Sequence, residues 1–146
     1  MMQEIIDKIN LHKSRAKLAQ KEIRAFDNEL SVEIFEDFEK VKTIDTFIYR
    51  FIKFQDMMGE KLFRFFLDEL GEYKESMSLL DILDKLEKLG FIDDAMQWMQ
   101  YRKLRNKLTH EYPNNEDEIV EGIILALQTF DEMEAIFNTI VEYKKV

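Results

Sequence analysis

From Gln3 to about Phe26, the apolar residues Ile5, Ile9, Leu18 and Ile23 recur on or near one stripe, which predicts a first helix. The string "DNELS" interrupts this pattern, and Ser31 is placed to cap a second helix. That helix is long. Ile34, Phe38, Val41, Ile48, Phe51, Met58, Leu62, Phe65 and Leu70 keep three-to-four-residue spacing up to Gly71. Gly59 lies inside it, where a lone glycine loosens or bends a helix at a cost of about 1 kcal/mol. Met77 and Ser78 open a shorter helix through "LLDILDKLEKL", which Gly90 ends as a C-cap.

Asp93 or Asp94 caps a fourth helix bearing Met96, Trp98, Tyr101, Leu104 and Leu108. Pro113 and two asparagines then break the chain, and Asn115 with Glu118 has the spacing of a capping box. Ile119, Ile123, Leu127, Phe130, Met133, Phe137 and Ile140 predict the last helix. No segment alternates as a strand does. The expected fold is all-α: a single domain over residues 1–146, an antiparallel up-and-down bundle of four main helices plus one short one.

Composition agrees. One Pro and four Gly leave little material for turns, and 46% hydrophobic with 35% charged residues suits a folded globular chain. With no Cys, disulfides, thiol nucleophiles and thiolate metal sites are excluded. The two His rule out a di-iron bundle, because Ile9 and Lys107, not Glu, stand three residues before His12 and His110. Nucleotide-binding glycine loops are absent, so no cofactor and no metal are expected. The start "MMQEIIDKIN" has no signal-peptide character, and the apolar run "IILAL" is far short of a membrane span, so a cytoplasmic protein is expected.

Eight of the twelve Phe fall between Phe35 and Phe66, more than one helix stripe readily buries. Some of them are therefore expected to face a second copy of the chain or another partner.

The net charge of −9 disfavours general nucleic-acid binding, yet Arg102, Lys103, Arg105 and Lys107 cluster between Tyr101 and His110 with no acid among them. They belong to "RNKLTHEY", residues 105–112, the one segment that departs from ordinary helix filler. On a helical wheel Arg105, Thr109, Arg102, Asn106, His110 and Tyr112 share a polar arc of about 160°, opposite Leu104 and Leu108. Asn106 stands four residues before His110, where it can orient the imidazole. Guanidinium holds phosphate and imidazole moves protons near neutral pH, so this set suits attack on a phosphodiester without a metal. One His per chain is little for acid–base chemistry, and a two-fold axis would bring two together. An inert reading stays open, with a capping His and surface Arg that perform no reaction. His12, among Lys13, Arg15 and Lys17, reads as a surface residue without a role.

Arg105, four residues, then His110, with Asn106 after the arginine and Tyr112 two residues beyond the histidine, resembles the R-N-x-x-x-H-x-Y motif of HepT-type toxins in the HEPN superfamily. That resemblance implies a metal-independent endoribonuclease, a homodimer, and the toxin of a toxin–antitoxin pair. It makes Arg105 and His110 catalytic with Asn106 in support, while Arg102, Lys103 and Lys107 are expected to bind RNA. It implies a minimal nucleotidyltransferase as partner, inactivating the toxin by attaching AMP to Tyr112. The alternative within the resemblance is a non-catalytic binding partner of such a nucleotidyltransferase.

Overall fold

A computed structural model describes residues 1–26, 30–109 and 116–145. Helix α1 spans Met2–Arg24, α2 Phe38–Met57, α3 Phe63–Glu69, α4 Leu79–Lys88, α5 Ala95–Thr109 and α6 Glu116–Lys145. A π-helical turn, Met58–Leu62, joins α2 to α3 in one continuous rod, so the bundle has four main helices and the short α4. No strand occurs among the described residues.

Side-chain pairings give the directions. On α1 and α2, Glu22 meets Thr43 and His12 meets Arg50, so the two helices run antiparallel. Asp56 meets Arg105 while Phe63 meets Trp98, which sets α5 antiparallel to the rod. Gln97 with Glu132, and Leu108 beside Gly122, do the same for α5 and α6. Phe47 meets Phe130 and Phe54 meets Phe137, so α2 and α6 are parallel, as alternate members of an up-and-down bundle must be.

The core is an aromatic ladder. Phe47, Phe51, Phe54, Phe63 and Phe66 are buried along the rod, with Phe130 and Phe137 opposite them. Ring centroids 5.3 to 6.1 Å apart across α2 and α6 fall in the favourable tilted and edge-to-face range. Four-residue spacing drifts 40° per step on a regular helix. The extra residue in the π turn resets that drift, returning Leu62, Phe63, Phe66 and Leu67 to the buried side. Gly59 sits within the turn against the indole of Trp98.

Caps explain most boundaries. Ser78 and Asp81 form a reciprocal capping box at α4, and Gly90, at φ 85°, ends that helix. At α5, Asp94 accepts from the Met96 amide at 2.9 Å. Ser31 departs from expectation. Its side chain caps nothing and precedes only a short 3-10 turn, Val32–Glu36, whereas Asp37 caps α2 by accepting from the Glu39 and Lys40 amides. The capping box expected at Asn115 lies outside the described residues.

Three apolar positions read as inward face solvent instead: Leu18, Phe38 and Met96. Leu18 leaves the stripe because Ala16, Ala19 and Ile23 supply the buried face there. Phe38 and Met96 lie on the outer faces of their helices, about 180° from buried Phe47 and about 160° from buried Trp98. Of the eight phenylalanines between Phe35 and Phe66, five are buried inside the single chain, Phe35 and Phe65 are partly buried, and Phe38 is exposed. Among the described residues no helix is long and apolar enough to cross a membrane.

Gly59→Ala tests the fit at the π turn. An added Cβ would lie 3.4 Å from the Trp98 indole nitrogen, an ordinary contact. Replacing a helical glycine should then raise stability by up to about 1 kcal/mol in urea unfolding, whereas Gly59→Leu should lower it by displacing the indole.

Candidate ribonucleolytic site

Two neighbouring residues of α2 hold α5 in place. Gln55, buried, donates through Nε2 to the Tyr101 carbonyl at 3.1 Å. Asp56 accepts from Arg105 twice, Nε to Oδ1 at 2.9 Å and Nη2 to Oδ2 at 2.7 Å. Tyr101 and Arg105 are one helical turn apart, so successive residues of one helix grip successive turns of the other. The Arg105 and Asp56 side chains are only 29% and 26% exposed. Their planar bidentate geometry is the strong form of an ion pair. Hydrogen bonding to Asp56 raises the Arg105 pKa against the opposing effect of burial, and the charges of Asp56 and Glu60 add to the rise.

Asp56 also defines what Arg105 has left to offer. One edge of the guanidinium is taken by the carboxylate, and Nη1 makes a longer contact of 3.4 Å to Asn106 Oδ1. The outer edge, with one N–H on each terminal nitrogen, stays available to an oxyanion. Asn106 is thus turned toward Arg105 by its oxygen. Arg102, Lys103 and Lys107 are exposed around this point, Leu104 is buried and Leu108 half-buried, as the polar arc requires. The Thr109 hydroxyl donates to the Asn106 carbonyl at 2.7 Å near the end of α5. His110 and Tyr112 lie outside the described residues. Arg105 was expected to project away from the core; instead it is half-buried against α2, because Asp56 draws it in.

The motif reading missed Asp56. Its signal was present, for it is the sole acid between Asp45 and Glu60, in the most apolar stretch of the rod. His12 needs correction as well. It is half-buried, and its Nδ1 lies 3.0 Å from Arg50 Nη1, which donates to it. Burial, then the charges of Arg50, Lys53 and Arg15, hold its pKa below the usual value and favour neutral imidazole.

A separate cavity of about 330 Å³ lies between α5 and α6, lined in part by Asp93, Asp94, Gln97, Tyr101 and Glu132. Burial and the charges of Glu132 and Asp93 push the Tyr101 phenol up to about 12, so it stays protonated. Its acidic rim repels phosphate, whereas the Arg105 side of α5 carries the exposed cations Arg102, Lys103 and Lys107.

Residues 20–140 match the family model described as ribonuclease HepT-like. The chain belongs to the HepT-like ribonuclease family. The matched span contains the whole 105–112 segment and also Asp56, so the clamp and the motif lie in the family's own portion of this HepT-like chain. No curated protein and no solved structure matches it.

Asp56→Ala should cost roughly 1–3 kcal/mol by stranding a partly buried guanidinium. A double-mutant cycle with Arg105→Ala should show coupling, and additivity within about 0.3 kcal/mol would contradict the clamp. His12 titrates in the opposite sense from a paired histidine. Its neutral form is favoured by folding, so its contribution is present above pH 6.5 and lost as pH falls below that value. His12→Gln should flatten the stability–pH curve in that acidic window, measured by urea unfolding.

Proposed function

We propose that this protein is a metal-independent endoribonuclease, the toxin of a toxin–antitoxin pair, working in the cytoplasm as a homodimer with a shared cleft. The observation that carries the reading is the Asp56–Arg105 clamp, which presents a preorganised guanidinium edge on the polar face of the motif helix. Membership in a ribonuclease family supports RNA as the substrate.

In this reaction Arg105 holds the scissile phosphate and offsets the charge that develops on its oxygens. The ribose 2′-oxygen attacks phosphorus, the bond from phosphorus to the 5′-oxygen breaks, and a 2′,3′-cyclic phosphate and a 5′-hydroxyl result. His110 of one protomer accepts the 2′-hydroxyl proton, and the same residue of the other protonates the departing oxygen. Asn106, with its carbonyl toward Arg105, keeps its amide protons for the imidazole or the RNA. Arg102, Lys103 and Lys107 attract the strand. Asp56 is a positioning residue that acts through Arg105.

Support for dimerisation comes from a different surface than the rod's phenylalanines. Ile124 and Leu125 are about half exposed, two and three residues after Gly122, which packs against Leu108 of the motif helix. Leu125, about 60° round α6 from Gly122, is an exposed apolar residue beside the motif helix and suits a two-fold axis there. The partner antitoxin is a minimal nucleotidyltransferase that adds AMP to Tyr112. The phosphate so attached occupies the ground near Arg105 and Arg102 that RNA requires.

Purified protein should cleave RNA in EDTA and leave the cyclic phosphate or its hydrolysis product. His110→Ala and Arg105→Ala should abolish cleavage. Asp56→Ala should lower kcat on the order of 100-fold through misplacement of Arg105, with partial recovery in Asp56→Glu. Light scattering should report a dimer. Strict dependence on a divalent metal, or full activity in His110→Ala, would overturn the mechanism; binding of RNA or nucleotidyltransferase without cleavage would assign a non-catalytic module instead. Co-expression with the nucleotidyltransferase should add AMP to Tyr112 by mass spectrometry, and the addition should disappear in Tyr112→Phe.

A further inference from the structure

A second concentration of positive charge sits where α1 meets α2. Arg50 lies at its centre, donating to His12 Nδ1 on one side, with its guanidinium carbon 5.1 Å from the Tyr49 ring centroid on the other. Lys53 reaches within 5.7 Å of the same ring. Arg15, one turn beyond His12 on α1, is close enough to act on the imidazole. The ion pairs of Lys17, Arg24, Lys42, Lys85, Arg105 and Lys144 with their acids lie elsewhere on the described surface. The contrast with the far side of α1 is direct: there Lys17 and Arg24 are matched to Glu134 and Asp131 of α6 at 2.8 and 2.9 Å.

In a chain of net charge −9 there is no shortage of carboxylates to neutralise three cations. Packing Arg50 against a neutral-leaning histidine rather than a carboxylate restrains its orientation while keeping its donors for an outside anion. Stability alone does not favour that arrangement, whereas a polyanion would. Tyr49 is 53% exposed, although two cations attend its ring. An exposed aromatic ring flanked by Arg and Lys is the pairing that holds unpaired nucleotides, by base stacking and backbone contact.

Position links this patch to the Arg105 site. On α2, Lys53 falls about 40° from Tyr49 and Asp56 about 20° to the other side, so the three share one face. Seven residues separate Tyr49 from Asp56, roughly 10 Å along the axis. At ~3.4 Å per phosphate, a stacked strand covers that distance in about three nucleotides. We propose that Tyr49, Arg50, Lys53 and Arg15 form a second contact for single-stranded RNA, about three nucleotides from the phosphodiester held at Arg105, with Tyr49 stacking on a base and the cations on its flanking phosphates. His12 acts there as a positioning residue for Arg50. This inference rests on the ribonuclease reading, which supplies the RNA.

Binding measured apart from cleavage distinguishes the two. Fluorescence anisotropy with a labelled single-stranded oligoribonucleotide would use the full chain carrying His110→Ala. Tyr49→Ala should weaken binding roughly tenfold, while Tyr49→Phe retains it. Lys53→Ala should reduce the slope of log K against log salt by about 0.7. Binding that follows these expectations in a protein without nuclease activity would sustain the patch and defeat the catalytic reading. Active cleavage with unchanged affinity and salt slope in both alanine variants would overturn the patch. So would equal affinity for duplex RNA, or a change of oligomeric state in Tyr49→Ala, which would make this face an interface between copies.

Discussion

The grip of Gln55 and Asp56 on α5 is the contact around which the candidate site is organised. Gln55 satisfies a backbone carbonyl inside the core, and Asp56, the next residue, satisfies a guanidinium at its edge. Neighbouring positions on a helix point about 100° apart, so the pair can act on both the interior and the rim of the α2–α5 contact. That geometry exists only because Phe47, Phe51 and Phe54 seat α2 against α6, which sets its rotation. The π turn immediately after Asp56 keeps the remainder of the rod in phase, so a long helix serves the core throughout while one acid is held at its edge.

Charge is distributed to match. Acids and bases meet on the outer contact of α1 with α6, where Gln20 and Arg24 both donate to Asp131. Burial alone would raise the Asp131 pKa, but these hydrogen bonds and the charges of Arg24 and Lys17 lower it instead. The cavity beside Tyr101 is acidic. Cations gather at Arg50 and Lys53 on one helix and around Arg105 on the other. An acidic protein can therefore offer a polyanion a local track, with the remaining surface repelling it from other approaches.

Helix ends were largely legible where a side chain can reach back to its own backbone. Ser78, Asp94 and Gly90 act locally, through a capping box, an N-cap and a left-handed residue, and each marks a boundary in the fold. Ser31 failed for an instructive reason: the chain makes a 3-10 turn first, and Asp37 offers a carboxylate at the true start of α2. Leu18, Phe38 and Met96 failed because apolar residues also occur off the stripe, and only the packing of neighbouring helices selects which face is buried. Arg105 and Asn106 were marked out by their company in one short segment. Asp56 carried a weak mark, and Arg50 beside His12 carried none, since each depends on a partner 38 or more residues away.

The sequence by itself determined an all-α bundle, four long helices and a short one, the family, and the polar character of the 105–112 segment. Those properties follow from local spacing, from capping and from a motif of contiguous residues, all of which are written along a single helix. Only the tertiary structure decided that Arg105 is half-buried against Asp56, that a π turn resets the rod, and that five of the eight crowded phenylalanines are buried within one chain. The directions of α2 and α6 bring Phe47 to Phe130 and Phe54 to Phe137, while the antiparallel α5 brings Arg105 to Asp56. Such pairings depend on the crossing and rotation of whole helices, which no one-dimensional pattern specifies.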